Sequence, residues 1–196
     1  DVYKRQVAEQ VWEGGGEDGV LQLTNATQTS AGTAFFNELI TTDQFTARFT
    51  VSLGGGRGAD GMVFLFLSET DPSVISETGG RLGVLGLSGY GVEFDTYQNS
   101  NFGDPNSNHI AVIDTSDLNK LTDDRTITTL HNSGNHAVEV RYEKGHVEVD
   151  FDGSLSMTTT IEETTLTDVL FGFSGATGAW ENTHTVHDFE LEACPD

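Results

Sequence analysis

The stretch VEVRYEKGHVEVDF, residues 138 to 151, decides the fold class of this chain. Apolar residues occupy every second position on both sides of a central Lys144-Gly145 dipeptide. Successive side chains of a β-strand point to opposite faces, so this period of two indicates strands with one buried face. The dipeptide supplies a tight turn, and the stretch is therefore predicted to form a β-hairpin with one solvated face.

The rest of the chain has the same strand-like character. Gly, Asn and Asp separate short segments rich in β-branched and aromatic residues, and no segment shows helical periodicity. The further predicted strands are VLQLT (20 to 24), TAFFNE (33 to 38), FTARFTVSL (45 to 53), GMVFLFL (61 to 67), YGVEFD (90 to 95), HIAVID (109 to 114), TITTL (126 to 130), VLFGFS (169 to 174) and VHDFELE (186 to 192). Residues 62 to 67 are apolar on both faces, which predicts a central strand. The pattern favours an all-β, antiparallel β-sandwich of the jelly-roll kind.

Composition limits the classes of protein and partner. The chain has 196 residues, enough for a single domain with a sizeable core. Its 9 Lys and Arg residues against 31 Asp and Glu residues argue against a nucleic-acid partner, because phosphate binding needs positive charge. No apolar run approaches the roughly 20 residues that span a bilayer, so no membrane insertion is expected. Cys194 is the single cysteine, which excludes an internal disulfide.

The first six and the last three residues are not expected to belong to the domain. The opening DVYKRQ, residues 1 to 6, looks like the translated end of a sequencing adapter and is excluded from fold reasoning. We expect one domain over residues 7 to 193, with its first strand truncated, and the start of a linker at residues 194 to 196. The absence of a signal peptide from such a start is uninformative. The expected location is extracellular or at the cell surface.

An acidic loop, EFDTYQNSNFGDPNSNH at residues 93 to 109, follows one of the predicted strands. Glu93 and Asp95 are two residues apart on this strand, so they share a face while Phe94 points into the core. Carboxylates brought together repel, and such a cluster indicates disorder, a proton-sharing pair or a bound cation. From residue types alone, a solvated acidic turn and a metal site are equally good interpretations.

The donor types in this loop suit two neighbouring cations. A hard ion such as Ca²⁺ takes oxygen ligands only. Its candidate ligands are Asp95, Asn99, Asp104 and a backbone carbonyl near Tyr97. A transition ion, Mn²⁺ by preference, accepts an imidazole nitrogen beside carboxylates. Its candidate ligands are Glu93, Asp95, Asp104 and His109.

Five segments together resemble one known family. VEFDTYQNSNFGDPNSNHIAV (92 to 112) is similar to the metal-binding loop of the legume lectins, the L-type lectin family that includes concanavalin A. The other segments match further landmarks of that family in the same order: GVLQLTNATQTSAGTAFF (19 to 36), ADGMVFLF (59 to 66), GGRLGVLGL (79 to 87) and GFSGATGA (172 to 179). The resemblance implies a concanavalin A-like jelly roll that binds glycans. With its adapter-like start, the chain is expected to be a bacterial or metagenomic member.

The resemblance also implies roles for individual residues. Calcium and manganese would occupy the two positions described above, and calcium would fix the loop so that the Asn99 amide points at a sugar. Asp60 would accept hydrogen bonds from two sugar hydroxyls after a cis peptide bond between Ala59 and Asp60. The Gly80 N–H group would reach the sugar, and the Tyr97 ring would cover an apolar sugar face. Ala179 and Trp180 would lie on a loop that adjusts sugar preference.

Two alternatives to a non-catalytic lectin stay open at this point. Glycoside hydrolases occur on the same kind of sandwich and use two carboxylates, in one large group within an E-x-D-x-x-E signature. Glu93 and Asp95 supply its first two positions, but Gln98 occupies the third, and Glu148 with Asp150 has no third acid. A structural or adhesive domain that has lost sugar binding is the other alternative. We expect a protein that is not an enzyme.

Overall fold

The computed structural model describes residues 5–6, 20–36, 38–69, 71, 73–122, 125–126 and 130–195. These residues form thirteen β-strands and two short 3₁₀ turns, at Gly79–Arg81 and Ser100–Phe102. The first seven strands are β1 (Arg5–Gln6), β2 (Leu21–Thr24), β3 (Ala31–Phe35), β4 (Ile40–Gly54), β5 (Gly61–Leu67), β6 (Gly89–Asp95) and β7 (His109–Asp114). The remaining strands are β8 (Arg125–Thr126), β9 (His136–Glu143), β10 (His146–Phe151), β11 (Leu155–Thr160), β12 (Leu166–Ala176) and β13 (Thr183–Pro195).

The strands pair antiparallel in two layers. One layer runs β11, β10, β9, β4 and β13, with β1 and β2 paired to β13. The other layer runs β3, β12, β5, β6, β7 and β8. Strand β12 also pairs with the start of β4 and so joins the two layers. This arrangement confirms the predicted antiparallel β-sandwich.

An aromatic cluster fills the space between the layers. Phe45 and Phe49 of β4 contact rings of the opposite layer, and the ring centroids of Phe49 and Phe64 are 5.1 Å apart. Strand β5 is buried along its whole length, as the sequence predicts. Its second face packs on a smaller apolar cluster that includes Leu82 and Val84. The segment that follows the first 3₁₀ turn therefore covers β5 from the outside, close to the predicted sugar site.

Most predicted strands are present, with shifted ends. The hairpin of β9 and β10 turns at Lys144 and Gly145, as predicted. Strand β3 ends at Phe35, so the predicted strand 33 to 38 begins and ends too late. Strand β11 was missed. Residues 127–129 of the predicted strand 126 to 130 lie outside the described residues.

Two residues near the start of the chain pair with the last strand. Arg5 and Gln6, set apart above as adapter-derived, pair with Ala193 and Glu192 of β13. The adapter origin of residues 1 to 6, the domain limits and the linker stay predictions. Within the described ranges, no helix has the length and apolar character needed to cross a membrane.

Candidate functional site

Strands β6 and β7 bring the ends of the acidic loop together. Asp95, the last residue of β6, pairs directly with His109, the first residue of β7. Glu93 lies two residues back on β6, so its side chain is on the same face as that of Asp95. The Glu93, Asp95, Asp104 and His109 side chains are all buried, while Phe94 enters the aromatic core as predicted. The loop is therefore no solvated acidic turn.

Ligand atoms of Glu93, Asp95 and His109 lie within 4.8 Å of one another. His109 Nδ1 is 3.0 Å from the carbonyl oxygen of Asn106, which can only accept, so the ring proton lies on Nδ1. His109 Nε2 then presents its lone pair to Glu93 Oε1 at 3.3 Å and to Asp104 Oδ1 at 3.6 Å. A lone pair facing carboxylate oxygens is unfavourable, and either a cation between them or a second ring proton on Nε2 relieves it.

The loop also assembles a second group of oxygen atoms. The Tyr97 N–H donates to Asp95 Oδ1 over 2.6 Å, and the Asn99 N–H donates to Asp104 Oδ2 over 2.6 Å. These bonds use one oxygen of each carboxylate and leave Asp95 Oδ2 and Asp104 Oδ1, of which Asp104 Oδ1 lies 2.8 Å from Lys120 Nζ. Among the described residues, Asn99 Oδ1 is buried and accepts no hydrogen bond. An orphaned amide oxygen beside two carboxylates is a donor set that suits a hard cation such as Ca²⁺.

Electrostatics favour a cation at this position. Burial raises the pKa of Asp95 well above its usual value, and the nearby Glu93 and Asp104 carboxylates raise this pKa further. An ionised Asp95 is therefore costly unless a positive charge lies close to it. Asp95, Asn99 and Asp104 consequently fit a divalent ion.

Lys120 is part of the same cluster and was missed in the sequence. Its Nζ lies 2.8 Å from Asp104 Oδ1 and 3.3 Å from Glu93 Oε1. Burial lowers the pKa of Lys120, but Glu93 and Asp104 raise it by more, so the pKa is raised overall. The ammonium group therefore stays charged. Two of the four donors predicted for manganese are thus already paired with a cation of the protein itself.

Asp60 lies at the start of β5, after a cis peptide bond between Ala59 and Asp60 that confirms the predicted geometry. Its backbone is held from β6: the N–H and the hydroxyl of Thr96 both donate to the Asp60 carbonyl over 2.8 Å. Asn182 Nδ2 donates in turn to the Thr96 hydroxyl over 3.0 Å. Burial raises the pKa of Asp60 to about 6, and its Oδ2 accepts no hydrogen bond from the described residues. One oxygen of this carboxylate thus lacks a partner among the described residues.

Glycines surround the Asp60 and Asn99 side chains. A Cβ atom built on Gly178 would lie 2.8 Å from Asp60 Oδ2, and one built on Gly80 would lie 2.3 Å from Asn99 Oδ1. Neither glycine could carry a side chain without moving these groups. A Cβ atom built on Gly79, the residue before Gly80, would lie 4.0 Å from Asp60 Oδ2, so Asp60, Gly80 and Asn99, predicted from three separate segments, are brought to one place.

Aromatic residues border this place. Tyr97 and Trp180 are 36% and 46% exposed, and their rings meet edge to face with centroids 5.7 Å apart. The Arg57 guanidinium lies 5.8 Å from the centroid of the Trp180 ring and donates to the Ala179 carbonyl over 2.8 Å. Arg57 also pairs with Glu181 at 2.8 Å. The predicted residues Tyr97, Ala179 and Trp180 thus belong to one rim, which Arg57 holds in place.

The residues considered for glycoside hydrolysis have other partners in the structure. Gln98 donates from Nε2 to the carbonyl oxygens of Asp104 and Pro105 over 3.2 Å, so it ties the loop together. Glu148 and Asp150 both pair with Arg141, at 2.8 Å and 2.7 Å. The E-x-D-x-x-E alternative thus lacks its third acid, and the second candidate pair is engaged on the outer face of β10.

Sequence reasoning missed four residues of this region: Thr96, Asn182, Arg57 and Lys120. Thr96 lies between two predicted ligands, and its position could have suggested a supporting role. Lys120 reaches the site through an isolated bridge between Ile113 and Lys120. The one available signal was a lysine close behind the acidic loop of a chain poor in basic residues.

The fold and the site together define an antiparallel β-sandwich whose acidic loop lies near a buried carboxylate oxygen without a partner among the described residues. The model of the legume lectin beta-barrel domain matches residues 5–188. The chain belongs to this L-type lectin family. Its expected bacterial origin stays a prediction.

Individual relatives agree with this assignment. A lectin from Leucomphalos mildbraedii is 29% identical over 174 residues, which cover 76% of this chain and 68% of that lectin. The L-type lectin-domain containing receptor kinase VII.1 of Arabidopsis thaliana is 25% identical over 209 residues, which cover 87% of this chain and 30% of the kinase. The chain thus spans less than a third of that receptor kinase.

Solved structures confirm the concanavalin A-like fold. The basic winged bean lectin, solved with Tn-antigen, has a TM-score of 0.77 at 25% identity and covers 92% of this chain and 89% of its own. The exoplasmic domain of VIP36 has a TM-score of 0.70 at 17% identity, covering 88% of this chain and 78% of its own, and this likeness concerns the fold alone.

Proposed function

We propose that this domain binds glycans through a calcium-ordered site and performs no catalysis. The observation that carries the proposal is the meeting of Asp60, Gly80 and Asn99 beside the acidic loop. Asp60 Oδ2 and Asn99 Oδ1 are buried and without a hydrogen-bond partner among the described residues. Buried polar atoms without partners are costly, so both atoms are suited to a ligand that supplies donors or a positive charge.

The calcium position is assigned to Asp95, Asn99, Asp104 and the Tyr97 carbonyl. When bound, the ion supplies the positive charge that offsets the buried carboxylates and fixes the loop. Lys120 pairs with Glu93, a donor predicted for manganese alone, and with Asp104, a donor predicted for both ions, so the proposal is restricted to the calcium position. The role of the chain's own residues is to orient the Asn99 amide, whose Nδ2 can then donate to a sugar oxygen.

The sugar is assigned to Asp60, Asn99 and the Gly80 N–H group, with the Tyr97 ring against its apolar face. Asp60 accepts from two sugar hydroxyls, because an ionised carboxylate is an acceptor on both oxygens. Ala179 and Trp180 form the variable edge of the site. The winged bean lectin was solved with Tn-antigen, a glycan ligand, which supports the same chemical class of ligand for this chain.

The proposal extends to the setting of the domain. A glycan partner is consistent with an extracellular or cell-surface location, which we propose for this chain. We also propose that residues 7 to 193 form one lectin domain. The residues assigned to the sugar are mostly polar, so the affinity for a single sugar is expected to be weak, and avidity would come from repetition or assembly.

A glycan array probed with and without a chelator tests the proposed function. We expect a signal for at least one class of glycan, its loss in chelator, and its return on adding Ca²⁺. Asp60→Ala should abolish the signal, while Asp117→Ala, at an exposed carboxylate distant in sequence, should retain it. A signal that survives in Asp60→Ala would place the sugar elsewhere. Chelation without effect would disprove the calcium requirement.

A further inference from the structure

Lys120 has the environment of an ion ligated by the protein. Its ammonium group carries three hydrogens, and three oxygens surround it: Asp104 Oδ1 at 2.8 Å, the Phe102 carbonyl oxygen at 3.2 Å and Glu93 Oε1 at 3.3 Å. Only 10% of the Lys120 side chain is exposed. A lysine is seldom buried unless it is paired, so this placement is a built feature of the site.

Two of the three oxygens around Lys120 Nζ also face His109. Glu93 Oε1 is 3.3 Å from both Lys120 Nζ and His109 Nε2. Asp104 Oδ1 is 2.8 Å from Lys120 Nζ and 3.6 Å from His109 Nε2. A transition ion bound to His109 would have to lie roughly 2.0 to 2.2 Å from these carboxylate oxygens. It would then share two oxygens with an ammonium group and be repelled by it.

The charges of the cluster lead to the same conclusion. Three buried carboxylates, Glu93, Asp95 and Asp104, require three positive charges for balance. One calcium ion and the Lys120 ammonium group carry that charge together. A second divalent ion would bring the positive charge to five, against four negative charges even when the nearby Asp60 is counted, and such an excess is costly in a buried site. Lys120 therefore supplies the positive charge that a second ion would otherwise provide.

We propose that Lys120 is the resident cation of the His109 position, so that this domain binds one divalent ion where the resemblance implies two. The inference rests on the proposed function, because it assumes a calcium ion at Asp95, Asn99 and Asp104. In this proposal, Lys120 takes the place of the manganese expected at Glu93, Asp95, Asp104 and His109. It also adds a residue, Lys120, to the machinery that orders the loop.

Binding of Mn²⁺ in the presence of saturating Ca²⁺ tests the inference directly. Free Mn²⁺ gives an electron paramagnetic resonance signal that is lost on binding, and excess Ca²⁺ occupies the oxygen site. We expect the unaltered protein to bind one Ca²⁺ per chain by elemental analysis and to leave the Mn²⁺ signal unchanged. One Mn²⁺ bound per chain under these conditions would overturn the inference, because the ion would have displaced the Lys120 ammonium group.

Lys120→Gln should open the second position, since the glutamine amide is uncharged. We expect this variant to bind one Mn²⁺ per chain in addition to Ca²⁺, with at least a tenfold gain in Mn²⁺ affinity over the unaltered protein. Lys120→Arg, which keeps the charge, and Lys144→Gln, at an exposed lysine, should not gain the site. Equal Mn²⁺ binding in Lys120→Gln and Lys144→Gln would contradict the inference. If Lys120→Gln does not fold, the measurement on the unaltered protein still decides.

Sugar binding with Ca²⁺ as the sole added metal separates this inference from the proposed function. We expect full glycan-array signal in Ca²⁺ alone and no increase on adding Mn²⁺. If no glycan binds under any metal condition, the proposed function fails while the metal count still tests Lys120. If glycans bind only after Mn²⁺ is added, the single-ion inference fails and the lectin function stands.

Discussion

Gly80 lies directly against the side-chain amide of Asn99. A Cβ atom built on Gly80 would fall 2.3 Å from Asn99 Oδ1 and 2.6 Å from Asn99 Nδ2. Real Cβ atoms do not approach other heavy atoms this closely, so any larger residue at this position must displace the amide. The amide that the acidic loop orients is thus also confined from the opposite side, by a backbone without a side chain.

This contact predicts the effect of Gly80→Ala. The methyl group would turn the Asn99 amide away from its present position, and sugar affinity should fall at least tenfold in a calorimetric titration. Gly153→Ala is the control, because Gly153 also loses conformational freedom but has nothing within 4 Å of its Cβ position. Gly153 has a φ of 61°, so this control should lose some stability but keep its sugar affinity. Equal sugar affinity in both variants would show that Asn99 tolerates displacement.

Metal removal should lower thermal stability. A ligand that binds only the folded state at about a hundredfold excess over its Kd stabilises by ~2.7 kcal/mol, which corresponds to roughly 5 to 10 °C for a domain of this size. We therefore expect Ca²⁺ to raise the melting temperature of chelated protein by about this amount in differential scanning calorimetry. Asp104→Asn should lose the response, and Asp117→Asn should keep it. A melting temperature that does not respond to Ca²⁺ would disprove the assigned ion position.

The contacts of Trp180 at the rim predict that Trp180→Ala weakens sugar binding more than Trp180→Phe does. Its ring meets Tyr97 edge to face and lies beside the Arg57 guanidinium, so it supports the aromatic wall of the site. Trp180→Ala should weaken sugar binding about tenfold, since aromatic contacts of this kind contribute roughly 0.5 to 1.5 kcal/mol beyond buried area. Trp180→Phe should recover most of the loss. Leu39→Ala, at another exposed apolar residue, should have no effect on binding. A loss as large in Leu39→Ala would point to general destabilisation.

His184 predicts a pH dependence that is separate from the metal loop. Its Nδ1 is 2.7 Å from the Thr24 hydroxyl, which itself donates to the Asn182 carbonyl, so Nδ1 carries a ring proton, while the buried Nε2 has no hydrogen-bond partner among the described residues. Burial lowers the pKa of His184 to about 3. Between that value and the usual pKa near 6.5, the unfolded chain binds a proton that the folded chain does not. The free energy of unfolding should therefore fall as pH falls from about 6.5, by up to ~1.4 kcal/mol per pH unit.

Urea unfolding of chelated protein between pH 5 and 7 measures this contribution. His184→Gln removes the titrating group, so its free energy of unfolding should depend less steeply on pH than that of the unaltered protein. His146→Gln, at an exposed histidine, should retain the original slope. Identical slopes in His184→Gln and the unaltered protein would mean that His184 is not buried in the neutral form.

Much of the fold could be predicted because its signals are local. Strand β5 is a continuous apolar run, and the β9 and β10 hairpin alternates without a break. Strand β11 (Leu155–Thr160) was missed because LSMTTT is dominated by Ser and Thr, whose polarity hides the alternation. Strand ends also depend on pairing with distant segments, which explains the shift of β3 by several residues.

The candidate site was predictable where its residues share one short segment. Glu93, Asp95 and His109 lie at the ends of one loop, and the strand period alone puts the first two on one face. Lys120 could not be predicted in this way, because its position depends on the bridge to Ile113 and on burial that a lysine rarely undergoes. The sequence resemblance implied two metal ions but did not indicate that the Lys120 ammonium group pairs with their carboxylate ligands.

The central claim is that the Asp60 carboxylate binds the sugar, and a calorimetric titration of calcium-loaded Asp60→Asn tests it most directly. Asparagine has the same shape and avoids the cost of a buried charge, so the fold should be retained. It removes charge-assisted hydrogen bonds worth roughly 1.5 to 3 kcal/mol each, so affinity for the best glycan of the array should fall about a hundredfold or more. An affinity within about twofold of the unaltered protein would contradict the claim.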